Sequence, residues 1–86
     1  MHLDQLRYLV DLKKTGSISA SAERLYVTQQ AISKSMKKLE SELDIMILER
    51  EKTGVSFTAA GYEVLEFAQK VLNDEETLRN KLFELK

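Results

Sequence analysis

The sequence predicts a mainly α-helical fold: a three-helix core, a small two-stranded hairpin and a long final helix. Three observations predict it. Apolar residues recur at steps of three and four through most of the chain, the spacing of one buried helix face. Ser17, Thr28 and Thr58 stand where such runs begin, and each offers a hydroxyl oxygen to the free N–H groups of a first helical turn. Only around residues 45 to 57 does the period change, to two short apolar runs about a Gly-containing turn.

The first helix is expected over about residues 3 to 14, with Leu3, Leu6, Leu9 and Val10 on its apolar face. Gly16 is a natural left-handed stop. Ser17 then caps a second helix, about 18 to 25, with Ile18, Ala22 and Leu25 inward. Tyr26 and Val27 form a break too short for a loop. Such a tight turn often needs a left-handed residue, usually Gly or Asn, and if Tyr26 is left-handed it carries backbone strain there. Thr28 caps a third helix, about 29 to 43, with Ile32, Met36, Leu39 and Leu43 inward. Strands are expected near residues 47–50 and 55–57, closed by Glu51-Lys52-Thr53-Gly54.

Thr58 opens the last helix, about 58 to 85. Proline is absent from the chain, so nothing interrupts this helix. Val64, Ala68, Val71, Leu78, Leu82 and Leu85 fall on alternating steps of four and three, and Glu75 breaks the seam. At about 1.5 Å per residue the helix is a rod of roughly 40 Å, too long for a core this small to cover. Up to about Leu72 it is expected to lie on helix one. Beyond that, Leu78, Leu82, Phe83 and Leu85 need a partner helix, with Val71 at the near end of the interface. Glu75 is expected at the seam's edge or against Lys70, Arg79 or Lys81 of the partner.

Composition narrows the function. An 86-residue chain with 43% apolar and 31% charged residues is one globular domain. Without cysteine it has neither a disulfide framework nor a thiolate metal site. No apolar run approaches the roughly 18 residues of a membrane span, and His2, Asp4 and Arg7 interrupt any signal-peptide pattern, so a cytoplasmic protein with no membrane partner is expected. Enzymatic readings find little. His2 is the only histidine and has no acid or cysteine cluster beside it. Asp74, Glu75 and Glu76 are adjacent on a helix and point different ways, so they make no carboxylate pair for acid–base work. No Gly-rich phosphate loop is present, and no cofactor is expected in this segment.

The net charge of −1 neither supports nor excludes nucleic acid, but its distribution is uneven. Residues 1–57 carry nine basic against eight acidic groups, and residues 58–86 carry four against six. Between Thr28 and Leu39 there are three lysines and no acid, which makes a local basic face. Around the third helix, Gln30, Ser33, Lys34, Lys37 and Ser41 cluster opposite its apolar residues, with Gln29 at the edge. Gln pairs bidentately with adenine, Lys donates to guanine, and Ser serves either. Polar helix faces are common, so this face alone would be an ordinary solvated surface. Its context is a helix–break–helix with Ala22 small at the helix contact and Val27 and Ile32 apolar, which is the layout of a helix-turn-helix.

Within that layout the chain resembles the DNA-binding domain of LysR-type transcriptional regulators over nearly its whole length. The residues that carry the resemblance run from Gly16-Ser17 through Ala22-Glu23-Arg24-Leu25, Val27-Thr28-Gln29 and Ala31-Ile32-Ser33-Lys34. They continue through Lys38-Leu39-Glu40, Glu42-Leu43, Glu49-Arg50 and Thr58-Ala59-Ala60-Gly61, and the opening Leu3-Asp4-Gln5-Leu6-Arg7-Tyr8 fits as well. Gln30 stands where the family usually has Pro, Asp44 where it usually has Gly, and Leu48 where Phe is common.

The resemblance implies a winged helix-turn-helix over residues 1–58 and a linker helix for dimerisation over 59–86. It implies double-stranded DNA as partner, with Gln29, Gln30, Ser33 and Lys34 contacting bases. Ser17, Thr28, Lys37 and Lys38 would bind phosphates, and Lys52 and Thr53 at the wing tip would approach the backbone or minor groove. Arg50 is expected to pack or pair within the wing base, and Lys13 and Lys14 to be merely solvated. A homodimer is implied, and a tetramer is open to a longer protein. Such proteins carry a C-terminal domain that senses a small-molecule effector, so this chain is expected to be an N-terminal piece. The competing readings are an interaction module that uses only the amphipathic last helix and, far behind, a small hydrolase. Steep loss of affinity with salt marks the DNA binder.

Overall fold

The computed structural model describes residues 1–86 and contains four helices and one hairpin in the order α1 (Leu3–Thr15), α2 (Ile18–Leu25), α3 (Gln29–Leu43), β1 (Leu48–Glu51), β2 (Gly54–Phe57) and α4 (Ala59–Glu84). The helix ends fall within one residue of those expected, because caps mark them. Ser17, Thr28 and Thr58 each accept a backbone N–H through the side-chain oxygen, from Ala20, Ala31 and Gly61. Gly16 ends α1 in the left-handed conformation. β1 sits one residue later than expected, and β2 begins one residue earlier and ends where expected. The reversal needs only Lys52 and Thr53, and the pairs Leu48–Phe57, Glu49–Ser56, Arg50–Val55 and Glu51–Gly54 form the antiparallel ladder.

Leu9, Leu12, Ile32, Leu39 and Ile47 are the large apolar side chains at the centre of the core. α1 runs through the middle and packs against each of the other three helices. Leu65 and Ala68 of α4 are buried, and Val64, Val71 and Leu72 close that side half-buried against the core. Val71 thus serves its own domain as well as standing at the start of the exposed stripe. Beyond it α4 projects, so the chain spans 48 Å in its longest direction and 18 Å in its shortest. Leu78, Leu82, Phe83 and Leu85 are all exposed there.

Polar contacts fix the helix angles. Asp11, buried on α1, accepts from Arg24 Nε through both carboxylate oxygens at 3.1 and 3.3 Å, which clamps α2. Thr15 and Ser21 share a hydroxyl bond of 2.7 Å at the same junction. Glu75, expected at the seam's edge or against a partner's base, finds cations within its own chain. Its carboxylate takes Arg7 of α1 at 3.0 Å and Arg79 of α4 at 3.4 Å, both on the same chain. The break in the apolar seam is therefore an intramolecular brace, possible because α1 lies beside α4.

Tyr26 adopts φ 57°, ψ 41°, the left-handed region expected from the short break. Its N–H and that of Val27 close the end of α2 on Glu23 and Ala22. The side chain is 95% exposed, so the residue contributes strain and no packing. A left-handed non-glycine costs about 1–2 kcal/mol, less for Asn. Tyr26→Asn is expected to leave stability unchanged or raise it by about 1 kcal/mol, read as a shift of the urea midpoint at constant slope. A clear fall in the midpoint would contradict this account. Asp44 ends α3 in the same conformation at φ 55°.

Candidate nucleic-acid interface

The arrangement of α2 and α3 follows from what they bury. Ala22 is small enough to let the helices approach, and Ile32 fills the space beneath the turn. α3 then has only its opposite face free. On that face Gln30, Lys34, Lys37 and Lys38 are exposed, Gln29 is exposed at its edge in the first turn, and none of the three lysines joins an ion pair. The N-terminal turns of α2 and α3 add the positive ends of two helix dipoles. The oxygens of Ser17 and Thr28 are engaged as caps, yet each hydroxyl hydrogen remains free to donate. Both roles, cap and phosphate donor, are therefore compatible.

Ser33 is different. It is half-buried, and its hydroxyl accepts from Arg50 at 3.0 Å. Arg50 lies on β1 opposite Val55 and is exposed. It pairs, as expected, but with α3 and not inside the wing base. A groove of about 440 Å³ runs between α3 and β1, with Ser33, Lys37, Glu49 and Arg50 among its lining residues. Arg50 thus borders the candidate interface. The spacing of residues along the chain could not reveal this, since the contact spans a turn between two elements.

The wing is held by its base. The Glu40 carboxylate accepts from the Ile47 and Leu48 N–H groups at 2.7 and 3.1 Å, tying the start of β1 to α3. The Val55 N–H donates to the Gly16 carbonyl at 2.9 Å, tying β2 to the α1–α2 junction. Gly54 makes that approach possible: at φ 142° a Cβ would stand 2.2 Å from the Gly16 oxygen. These contacts leave Lys52 and Thr53 exposed at the tip.

Away from this face, Lys13 is exposed and lies 5.5 Å over the Tyr62 ring, while Lys14 is exposed without an ion pair. The N-terminal ammonium contacts Glu42 at 2.6 Å. That hydrogen bond, with the charges of the terminus, His2 and Lys38, holds the Glu42 carboxyl below its ordinary range against a smaller desolvation effect. No group of three or more His, Cys, Asp or Glu side chains converges to hold a metal ion. No helix is long and apolar enough to cross a membrane.

Comparison with known proteins bears on this architecture directly. Residues 3–62 match the family model described as bacterial regulatory helix-turn-helix protein, lysR family. The regulator TcbR of Pseudomonas sp. strain P51 is 39% identical over 72 residues, 84% of this chain and 24% of that protein. A probable RuBisCO transcriptional regulator of Trieres chinensis is 43% identical over 70 residues, 81% of this chain and 23% of that protein. The chain thus spans about a quarter of the length of these relatives. The solved complex of the CbnR DNA-binding domain with DNA superposes with a TM-score of 0.91 at 33% identity, covering 99% of this chain and 98% of that one. The complex of the BenM domain with catB site 1 DNA superposes at 0.93 and 29% identity, covering 99% and 96%. The chain belongs to the LysR family of bacterial helix-turn-helix regulatory proteins.

Proposed function

We propose that this chain is the DNA-binding module of a transcription regulator and that it reads double-stranded DNA with α3. The observation that carries the reading is the free face of α3, where two glutamines and three lysines are presented to solvent without internal ion pairs. Gln29, Gln30, Ser33 and Lys34 contact base edges in the major groove. Ser17, Thr28, Lys37 and Lys38 hold phosphates, and Lys52 and Thr53 reach the backbone or minor groove. The module performs no chemistry of its own and works in the cytoplasm. Two copies pair through the exposed half of α4, with Val71, Leu78, Leu82, Phe83 and Leu85 at the contact, and set two α3 helices on two half-sites. A small-molecule effector acts through a further domain of the longer regulator, which can assemble as a tetramer.

The experiment is selection of genomic fragments by the purified chain, followed by sequencing of the bound DNA. An interrupted inverted repeat is expected. Gln29→Ala should then flatten preference at one position, by about 1–3 kcal/mol for a lost bidentate contact, and Ser33→Ala by less. Lys37→Ala or Lys38→Ala should weaken all sequences alike and reduce the salt slope by about one unit. Profiles untouched by the first pair and re-ranked by the second would place the wrong face in the groove. Binding insensitive to salt would favour an interaction module built on α4 instead.

A further inference from the structure

Ser33 and Arg50 meet across the groove between α3 and β1, where an Arg50 guanidinium nitrogen lies 3.0 Å from the Ser33 hydroxyl oxygen. The direction of this bond has one assignment. A guanidinium carries five N–H donors and no acceptor, so the serine oxygen accepts. Arg50 joins no ion pair, and Ser33 is its one side-chain partner. A hydroxyl within a helix can turn its hydrogen back to the carbonyl four residues earlier, as Thr77 does to Asn73 at 3.0 Å. Ser33 makes no such bond to Gln29. Its oxygen is turned to a cation, and its hydrogen has no partner in the chain.

We propose that Arg50 is a positioning residue that fixes Ser33 as a hydrogen-bond donor, and that α3 thereby rejects cytosine at the base Ser33 meets. This rests on the reading above in which Ser33 contacts a base edge. In the major groove guanine offers N7 and O6, adenine N7 and thymine O4, all of them acceptors. Cytosine offers its N4 amino group, a donor, and no acceptor. A free serine hydroxyl serves either kind of edge because it rotates. With Arg50 on its oxygen the rotation is biased, since the O–H dipole sets its positive end away from the guanidinium. To accept from cytosine, the oxygen would take two donors at once, one of them charged. The position is then read as any base but cytosine.

The neighbouring residues carry no such bias. Gln29 and Gln30 are exposed, and each amide offers both a donor and an acceptor. Nor is Arg50 needed to hold the wing in place. Glu40 ties the start of β1 to α3 through the Ile47 and Leu48 N–H groups, and the Val55 N–H ties β2 to Gly16. Arg50 itself is exposed, so its replacement is expected to leave the fold intact and to move the melting midpoint by less than about 4 °C.

The test uses an operator from the selected fragments and four duplexes that differ at the one position whose preference Ser33→Ala alters. The unmodified chain is expected to bind the cytosine duplex at least about fivefold more weakly than each of the other three. Arg50→Met should weaken all four through lost charge, and should also bring the cytosine duplex to within about twofold of the rest. Arg50→Lys keeps a cationic donor and should retain the penalty. In a Ser33→Ala background, Arg50→Met should scale all four duplexes alike, as a plain phosphate contact by Arg50 would do in either background. A penalty that survives Arg50→Met, that Arg50→Lys loses as fully, or that the unmodified chain lacks overturns the proposal and leaves the DNA reading of α3 standing. If Ser33→Ala alters no position, Ser33 leaves the set of base-reading residues and the proposal falls with it. A chain that selects no sequence at all overturns the reading of α3 itself.

Discussion

Gly61→Ala is expected to destabilise the domain by about 2 kcal/mol or more, and to lower its melting midpoint by about 10 °C. On helix propensity alone the same change should stabilise, since Ala is favoured over Gly inside a helix by about 1 kcal/mol. The sign is decided by space. A Cβ at position 61 would stand 2.2 Å from the Ile47 carbonyl oxygen and 3.0 Å from its carbon. Neither atom can turn aside as a side chain would. The Ile47 carbonyl is fixed because it accepts the Thr58 N–H at 3.0 Å, and the Ile47 N–H is fixed by Glu40 at 2.7 Å. Thr58 in turn caps α4 on the Gly61 N–H at 2.9 Å. The first turn of α4 is therefore pressed on the segment that enters the wing, and one methyl group must move both. Thermal melts of the two proteins decide it. A midpoint that stays or rises would show that the junction yields more easily than the distances allow.

That junction marks the boundary of what was legible along the chain. Caps and periodicity act over a single turn, so α1 to α4 could be placed from Ser17, Thr28, Thr58 and the spacing of leucines. The left-handed turn at Tyr26 was suggested by the short break between two crossing helices, which often needs such a residue, and the structure has it. Contacts that join distant elements carry no periodic signal. Glu40 looks like an ordinary charge on α3, yet it caps two amides of β1. Gly61 reads as one more residue of a helix start, and its need for space appears only when Ile47 is beside it. Glu75 interrupts a leucine seam and so suggested the seam's edge or a basic residue of the partner, whereas Arg7, 68 positions away on the same chain, pairs with it.

The site divides along the same line. Exposure of Gln30 and the three lysines follows from the wheel of α3, since Ile32, Met36 and Leu39 must face the core, whereas Gln29, at the edge of the wheel, is exposed in the first turn. The link between Arg50 and Ser33 does not follow from any wheel. It requires that β1 return alongside α3, which Glu40 secures. On the proposed reading, Ser33 would meet DNA already oriented, while Gln29 and Gln30 would meet it as rotors that must be ordered at a cost in entropy.

The second large effect concerns affinity, not folding. Replacing Leu78 and Leu82 together by Lys is expected to give a folded monomer that binds a two-half-site operator about 100-fold or more weakly than the unmodified chain. The magnitude is that of avidity: joining two modules makes the second contact intramolecular, typically worth about 10²–10⁴. Folding should survive because both leucines lie beyond the domain's own core, at 56% and 51% exposure. Dimerisation should not, because each leucine covered at the interface is worth up to about 1.5–3 kcal/mol, and four of them would be replaced by charges that cannot be desolvated cheaply. The added lysines could only favour DNA in a general electrostatic sense, so a loss of affinity cannot be assigned to charge. Binding to a duplex with one half-site is the internal control and should change little. Sedimentation and titration of both duplexes test the claim. A double variant that still dimerises, or one that is monomeric yet binds the full operator as tightly as before, would remove α4 from the mechanism by which two recognition helices are presented together.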